Sequence, residues 1–244
     1  PSGGYSGAAR PQSPAAQDLG NTVLLLGISL ILSLAIAIPL GVYAALKPYS
    51  RVDYAVNLFC FAGISVPPFW FALLLILIFA VTLGWLPAGG MQTLGKDSIV
   101  DRLQYLILPV LTLTIGSVGG FTRFMRASML ETLRQDYVRT ARAKGLSEVR
   151  VVTGHALRNA LTPLVTVVAL SFGGLFSGAL ITETMFGWRG MGKTIFDAIM
   201  GNDFSLALVG LRPATGFTLL GNFLAALCYA WLDPRVTLSE EREP

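Results

Sequence analysis

Five long apolar stretches, separated by short polar interruptions, dominate the chain: Thr22 to Leu46, Tyr54 to Leu83, Tyr105 to Phe124, Leu157 to Ile181 and Ser205 to Trp231. A helix needs roughly 20 such residues to cross ~30 Å of hydrocarbon, so each stretch is predicted to be a membrane span. The second is interrupted by Ser65-Val66-Pro67-Pro68. Two consecutive prolines remove two backbone donors, which predicts a short helix, a break and a longer helix. Pro39 and Pro163 predict kinks in the first and fourth spans. Gly116 with Gly120, and Gly174 with Gly178, have the small-xxx-small spacing that lets helix backbones approach closely. Residues 1–20 show no periodicity and no apolar core of a signal peptide, and read as a flexible, extracytoplasmic lead-in.

Composition agrees with the pattern. Of 244 residues, 53% are apolar and only 13% charged, against about 25% charged in an average soluble domain. Mean hydropathy is +0.63. These figures exclude a disordered chain and a soluble catalytic domain. Cys60 and Cys228 lie inside apolar runs and read as buried thiols, and His155 is the single histidine, which leaves no cluster for zinc, haem or non-haem iron.

The net charge of +4 suits either nucleic acid or the cytoplasmic loops of a membrane protein, and its distribution selects the second. If residues 126–158 form a cytoplasmic loop, twelve of the 18 Lys and Arg share that side, and eight of the twelve fall between Arg123 and Arg158. The positive-inside bias then puts the N-terminal tail outside and the 234–244 tail in the cytoplasm, with no role for nucleic acid. Five spans with an outside start is an odd topology, so a further upstream span is expected.

One motif is a decoy on this reading. Gly187-Trp188-Arg189-Gly190-Met191-Gly192-Lys193-Thr194 fits G-x-x-x-x-G-K-[ST] letter for letter. The phosphate-binding chemistry of that pattern needs a buried strand before it and a helix after it, whereas here it follows a predicted membrane helix on the outer face. It reads instead as a glycine-rich turn entering an interfacial helix from Lys193 to Met200.

The cytoplasmic loop, residues 126–158, is long for a helix connection and has internal order. Asp136-Tyr137-Val138-Arg139-Thr140-Ala141-Arg142-Ala143-Lys144 predicts a short basic helix with an acid at its start. Gly145 stops it, and Ser147 is placed to cap a second helix, Glu148 to His155. This arrangement is expected to project Ala141, Gly145 and Leu146, rimmed by Arg139, Arg142 and Lys144, towards either a protein partner or anionic lipid.

The run Asp136 to Ser147, followed by His155-Ala156-Leu157-Arg158-Asn159-Ala160-Leu161, resembles the "EAA" signature of binding-protein-dependent ABC importer permeases. Within that family it is most similar to the dipeptide, oligopeptide and nickel branch. Gly63 to Phe69, Gly84-Trp85-Leu86-Pro87-Ala88-Gly89-Gly90 and Leu232-Asp233-Pro234-Arg235 agree with that branch. Glu183 to Trp188 with Gly190-Met191-Gly192 resembles the first of its two permease subunits. The resemblance covers about Asn21 to Ser239. It implies an all-α, polytopic type I ABC importer transmembrane domain over residues 21–233, with six spans where this chain shows five.

The implied partners are a homologous second permease subunit, two ATPase subunits, an extracytoplasmic solute-binding protein and membrane lipid. ATP and magnesium would sit in the ATPases, so the chain itself is expected to bind no cofactor or metal and to be no enzyme. The implied location is a bacterial or archaeal cytoplasmic (inner) membrane, and the implied cargo a di- or oligopeptide, with nickel, glutathione or another small solute as alternatives. The loop helix would be the coupling helix: Ala141 and Gly145 permitting close approach, Leu146 an apolar anchor, and Asp136, Tyr137, Arg139, Thr140, Arg142, Ala143, Lys144 and Ser147 completing the contact surface.

The same reading makes Ser65, Pro67, Pro68, Glu183 and Arg212 candidate pathway or gating residues. Arg139 and Arg158 replace the Glu and Pro of the general signature, as the peptide branch does. Arg212, where the family is usually apolar, is expected to snorkel outward, line the pathway or pair with Glu183. The rival class, a self-contained channel or proton-coupled carrier, would need titratable groups at mid-membrane; the chain offers Arg212 and Glu183, both towards the outer end.

Overall fold

The computed structural model describes residues 14–96 and 98–232, and among them every regular element is helical. In chain order these are α1 (Pro14–Leu46), α2 (Arg51–Ser65), α3 (Pro68–Leu75), α4 (Ile99–Leu133), α5 (Asp136–Ala143), α6 (Glu148–Arg150), α7 (Leu157–Leu170), α8 (Phe172–Phe186), α9 (Met191–Met200) and α10 (Phe204–Leu232). Wider, π-type turns extend α3 through Ile76–Thr82 and join α6 to α7 through Val151–Ala156.

Three helical segments are long and apolar enough to cross a membrane on their own: Ala16–Leu46, Ile99–Leu133 and Phe204–Phe223. The second predicted span is an elbow: Arg51–Ser65 and Pro68–Thr82 meet at 98°. A residue before proline is pushed out of the helical region. Val66 precedes Pro67 and Pro67 precedes Pro68, and both are extended (ψ 130° and 139°), after which Pro68 opens α3 at a position that needs no N–H. The arms on either side have matched lengths, so the part after the break is not the longer one.

The fourth predicted span is also two helices, parted at Ser171. The Ser171 hydroxyl donates to the Val167 carbonyl (2.7 Å), and Gly173 and Gly174 follow, so the ladder is weakest there.

Two boundaries differ from the pattern reading. Helix α1 begins at Pro14, inside what reads as a lead-in, and Asp18 and Asn21 are buried. Helix α4 continues to Leu133, about two turns past Arg126, so the long loop starts later than expected. The predicted tail at 234–244 and the Leu232-Asp233-Pro234-Arg235 match fall largely outside the described residues, as do residues 1–13 of the lead-in.

The bundle is built around α4, which packs on α1, α2, α3, α7 and α8. The close approaches use glycines other than the predicted pair. A Cβ on Gly119 would lie 2.7 Å from the Cys60 carbonyl oxygen of α2, and one on Gly41 2.7 Å from Met125 Cβ. Gly116 and Gly120 face open space instead. The side chains around Gly174 and Gly178 lie outside the description.

One cluster of buried side chains runs from α1 (Ala37, Ala45) through α4 (Phe121, Met125, Met129) into α5 (Val138, Ala141) and α7 (Ala160, Leu164). A second, at the opposite end, joins Leu25, Leu106, Val110, Ala179 and Trp188. Ile31, Leu58, Phe59 and Leu170, each at least 70% exposed, cover the periphery with apolar surface suited to lipid or another membrane subunit.

Candidate functional site

Helix α5 is short, and its end is closed by backbone chemistry. Gly145 adopts φ 80°, its N–H donates to the Arg142 carbonyl (2.9 Å) and the Leu146 N–H donates to that of Ala141 (3.4 Å). These two bonds and a left-handed glycine are the Schellman ending of a helix. Arg142 then spans the turn with a two-pronged ion pair to Glu148, at 2.6 and 3.1 Å. That guanidinium holds the Glu148 carboxyl below its ordinary range. Because the carboxylate's folded-state pKa is depressed, the pair contributes above the unfolded value and is lost as pH falls through the folded one. Both side chains are exposed, so the contribution is small. Glu148→Gln is expected to speed amide hydrogen exchange in residues 136–146 modestly at neutral pH and to leave the rest of the chain unchanged; unchanged exchange in that segment would refute the role of the pair.

The rotation of α5 corrects one expectation. Val138 and Ala141 are buried, and Leu146 packs partly against the same cluster, so these side chains anchor α5 inward to α4, α7 and the turn before it. The outward face is Asp136, Arg139, Thr140, Ala143, Lys144 and Gly145, with Arg142 at its edge. Tyr137 is exposed, and its hydroxyl accepts from Asn159 Nδ2 at 3.0 Å. Arg139 lies 3.8 Å from Asp136 with both side chains largely in solvent. Ser147 stands at the start of α6 as expected, but its hydroxyl makes no capping bond.

At the opposite end, Glu183 is fully buried in α8. Thr22 Oγ1 donates to its Oε1 at 2.5 Å, and the Lys193 N–H donates to Oε2 at 3.0 Å. Thr22 in turn accepts from the Met191 N–H at 2.8 Å. Helix α9 is therefore tied by its first turn to α1 and α8, with the carboxylate placed where a helix N-terminus favours negative charge.

This geometry accounts for the glycines of the Walker-like pattern. Gly187 ends α8 with φ 59°. A Cβ on Gly190 would run into the Glu183 carboxylate, and one on Gly192 would lie 2.7 Å from Leu180 Cα. The turn lies between helices α8 and α9, with no strand before it, and its backbone holds an internal carboxylate. The Lys193 ammonium is engaged by Asp197 at 2.7 Å. The helix after the turn starts at Met191, two residues earlier than the sequence indicates.

Neighbouring bonds extend the clamp. Asn21 Nδ2 donates to the Arg189 carbonyl (2.7 Å), Arg102 Nη2 to Asn21 Oδ1 (2.8 Å) and Thr194 Oγ1 to Asp18 Oδ2 (2.8 Å). The Gly89-Gly90 turn docks on the same end, with the Gly90 N–H donating to the Phe186 carbonyl at 2.7 Å.

The other candidate residues separate. Pro68 lines a cavity of about 370 Å³ together with Thr112, Gly116, Gly120 and Ser171. Ser65 spends its hydroxyl on the Phe61 carbonyl (2.7 Å), and Pro67 is exposed at the elbow. Arg212 is exposed on α10, and among the described residues no carboxylate pairs with it. Glu183 is thus satisfied by Thr22 and the α9 backbone rather than by Arg212.

The sequence pattern gave no sign of an ion pair between α2 and α4, at the α5 end of the bundle. Arg126 Nε and Nη2 reach Asp53 Oδ1 and Oδ2, both at 2.6 Å, and the Asp53 side chain is only 3% exposed. Asp53 also accepts from the Tyr49 N–H and Asn57 Nδ2, each at 2.8 Å. Its one local signal is Ser50-x-x-Asp53, a capping pattern, and the Ser50 hydroxyl does accept from the Asp53 N–H at 3.2 Å.

Comparison with known proteins agrees with this architecture. The family described as binding-protein-dependent transport system inner membrane component matches residues 37–238. The oligopeptide transport system permease protein AppB of Bacillus subtilis (strain 168) is 42% identical over 219 residues, covering 89% of this chain and 69% of that protein. The dipeptide transport system permease protein DppB of Escherichia coli (strain K12) is 35% identical over 236 residues, 87% of this chain and 70% of that one. Among solved structures, a chain of the inward-facing MetNI methionine ABC transporter superposes with a TM-score of 0.71 at 17% identity, covering 93% of this chain and 99% of that chain, a likeness of fold. A multi-pass helical bundle of this form, matched across most of its length, belongs to the binding-protein-dependent transport system inner membrane components, the permease subunits of ABC importers.

Proposed function

We propose that this chain forms half of the translocation pathway of an ATP-driven importer of di- or oligopeptides in a bacterial inner membrane. A second, homologous permease subunit would complete the pathway, a solute-binding protein would deliver the peptide outside, and two ATPase subunits would hydrolyse ATP. The peptide cargo is supported by similarity to AppB and DppB, which favours it over nickel or glutathione.

The observation that carries the coupling role is the two-sidedness of α5. Its outer face is basic and exposed, while its inner face, Val138 and Ala141, is continuous with the buried cluster of α1, α4 and α7. Packed interiors resist compression, so an ATPase that moves α5 moves the membrane helices with it. The test is Ala143→Trp, which adds bulk to the outer face and leaves the inner face untouched. With all subunits co-expressed, the variant is expected to melt like the parent in detergent yet lose its ATPase on purification and its ATP-driven peptide uptake. An undiminished yield of bound ATPase would refute the docking role of α5.

A further inference from the structure

The exposed side of α4 is a groove rather than a convex helix surface. Its outer part is the cavity of about 370 Å³ walled by Pro68 of the elbow and by Ser171 where α7 ends. Its inner part, about 510 Å³, is lined by Asn57, Phe61, Arg123 and Arg126. Gly120 and Phe124 line both, so the two adjoin along α4. From Thr112 to Ala127 the groove follows α4 for about 22 Å at 1.5 Å per residue, most of a hydrocarbon thickness. The outer part is walled mainly by Leu113, Phe121, Phe124 and Val167, but the inner part carries Asn57, Arg123 and Arg126, and a concave strip with two guanidinium groups is the expected wall of a watered path rather than a lipid-facing surface.

The charges along it are unequal in their freedom. Arg126 is neutralised by the two-pronged pair with Asp53. Farther towards the cytoplasmic mouth, Glu131 and Arg134 line one further cavity together. Arg123 differs: it is exposed, and among the described residues no carboxylate lies within 4.0 Å of it. Its guanidinium carbon stands 4.5 Å from the centre of the Phe61 ring. Stacking on a ring fixes the plane of a guanidinium and leaves its N–H edges available. A planar fork with free edges is the side chain best matched to a carboxylate.

We propose that Arg123 is a way-station for the C-terminal carboxylate of the transported peptide in the cytoplasmic half of the pathway. The proposal rests on the peptide-importer reading above. A contact of this kind must hold briefly and release; the exposure of Arg123 keeps the pair solvated enough to part.

The test uses the complete importer in proteoliposomes, with a tripeptide and its C-terminal amide each supplied at a concentration that saturates the solute-binding protein. The parent is expected to take up the free acid faster than the amide. Arg123→Gln is expected to slow the free acid about tenfold and the amide by less than about twofold, the scale of one lost charge-assisted contact; Arg123→Lys is expected to fall between. Equal slowing of both peptides, or of neither, would overturn the proposal. In a parallel measurement, Arg123→Cys in a chain with Cys60→Ala and Cys228→Ala is expected to react with a water-soluble thiol reagent and to be protected during peptide turnover. Failure to react would place position 123 in lipid and overturn the proposal, whatever the cargo. A parent that imports neither peptide while its thiol variant still reacts would instead refute the peptide cargo, and with it the carboxylate as ligand.

Discussion

Arg126→Met is expected to cost the subunit about 3–5 kcal/mol, the penalty for stranding the nearly inaccessible Asp53 carboxylate of the ion pair. For a chain of this length that corresponds to a drop of roughly 10 °C in the melting midpoint. The loss is larger than that of a surface pair because the carboxylate is nearly inaccessible and holds Arg126, Asn57 and the Tyr49 N–H at once. Asp53→Ala alone is expected to be milder, since the Arg126 guanidinium it leaves unpaired is 21% exposed and lines the groove along α4. The double variant Asp53→Leu with Arg126→Met removes both charges and is expected to recover most of the loss, as buried pairs replaced by apolar residues of similar size often do. Melting of the three variants in one detergent decides the matter. A single variant within a degree or so of the parent would show that the pair is screened, and a double variant worse than either single would show that the charges themselves are needed for the packing.

The second large effect is expected at the outer clamp. Glu183→Ala strips the acceptor from the Thr22 hydroxyl and the Lys193 N–H; leaving such buried donors unsatisfied costs about 1–3 kcal/mol each. The damage should be local before it is global. Amides of residues 191–200 are expected to exchange faster while those of α4 and α5 keep their protection. Glu183→Gln retains a carbonyl acceptor and is expected to be milder. Gly190→Ala, which drives a methyl into the carboxylate, is expected to free α9 as Glu183→Ala does. Protection of α9 that survives both Glu183→Ala and Gly190→Ala would show that the apolar contacts of Met191 and Ile195 hold the helix without the carboxylate.

Much of the architecture was legible from the chain alone because it follows from local rules. Apolar length marks most spans, paired prolines mark the elbow, and a basic run stopped by glycine marks α5. The rotation of α5 was available too: Val138 and Ala141, spaced three apart among charged neighbours, form an apolar stripe that such a short helix can bury. What escaped were pairings between distant positions. Asp53 and Arg126 are 73 residues apart and Thr22 and Glu183 are 161 apart, and neither pair leaves a periodic trace. The failed Glu183–Arg212 pairing shows the same limit, because depth in the membrane places two residues at one level without saying which faces which. The glycine turn shows another: its letters record backbone N–H groups gathered around an anion, and a carboxylate meets that need as a phosphate would.

The elbow lets one broken span serve two parts of the bundle. Its inner arm is fastened to α4 by the Asp53–Arg126 pair and the Gly119–Cys60 contact, while its outer arm seats Ala72 and Leu75 against Leu108 and Phe186. Meeting at 98°, the two arms brace α4 from two directions, so the paired prolines let one stretch of chain seat against both the Gly119 and the Leu108 levels of that helix.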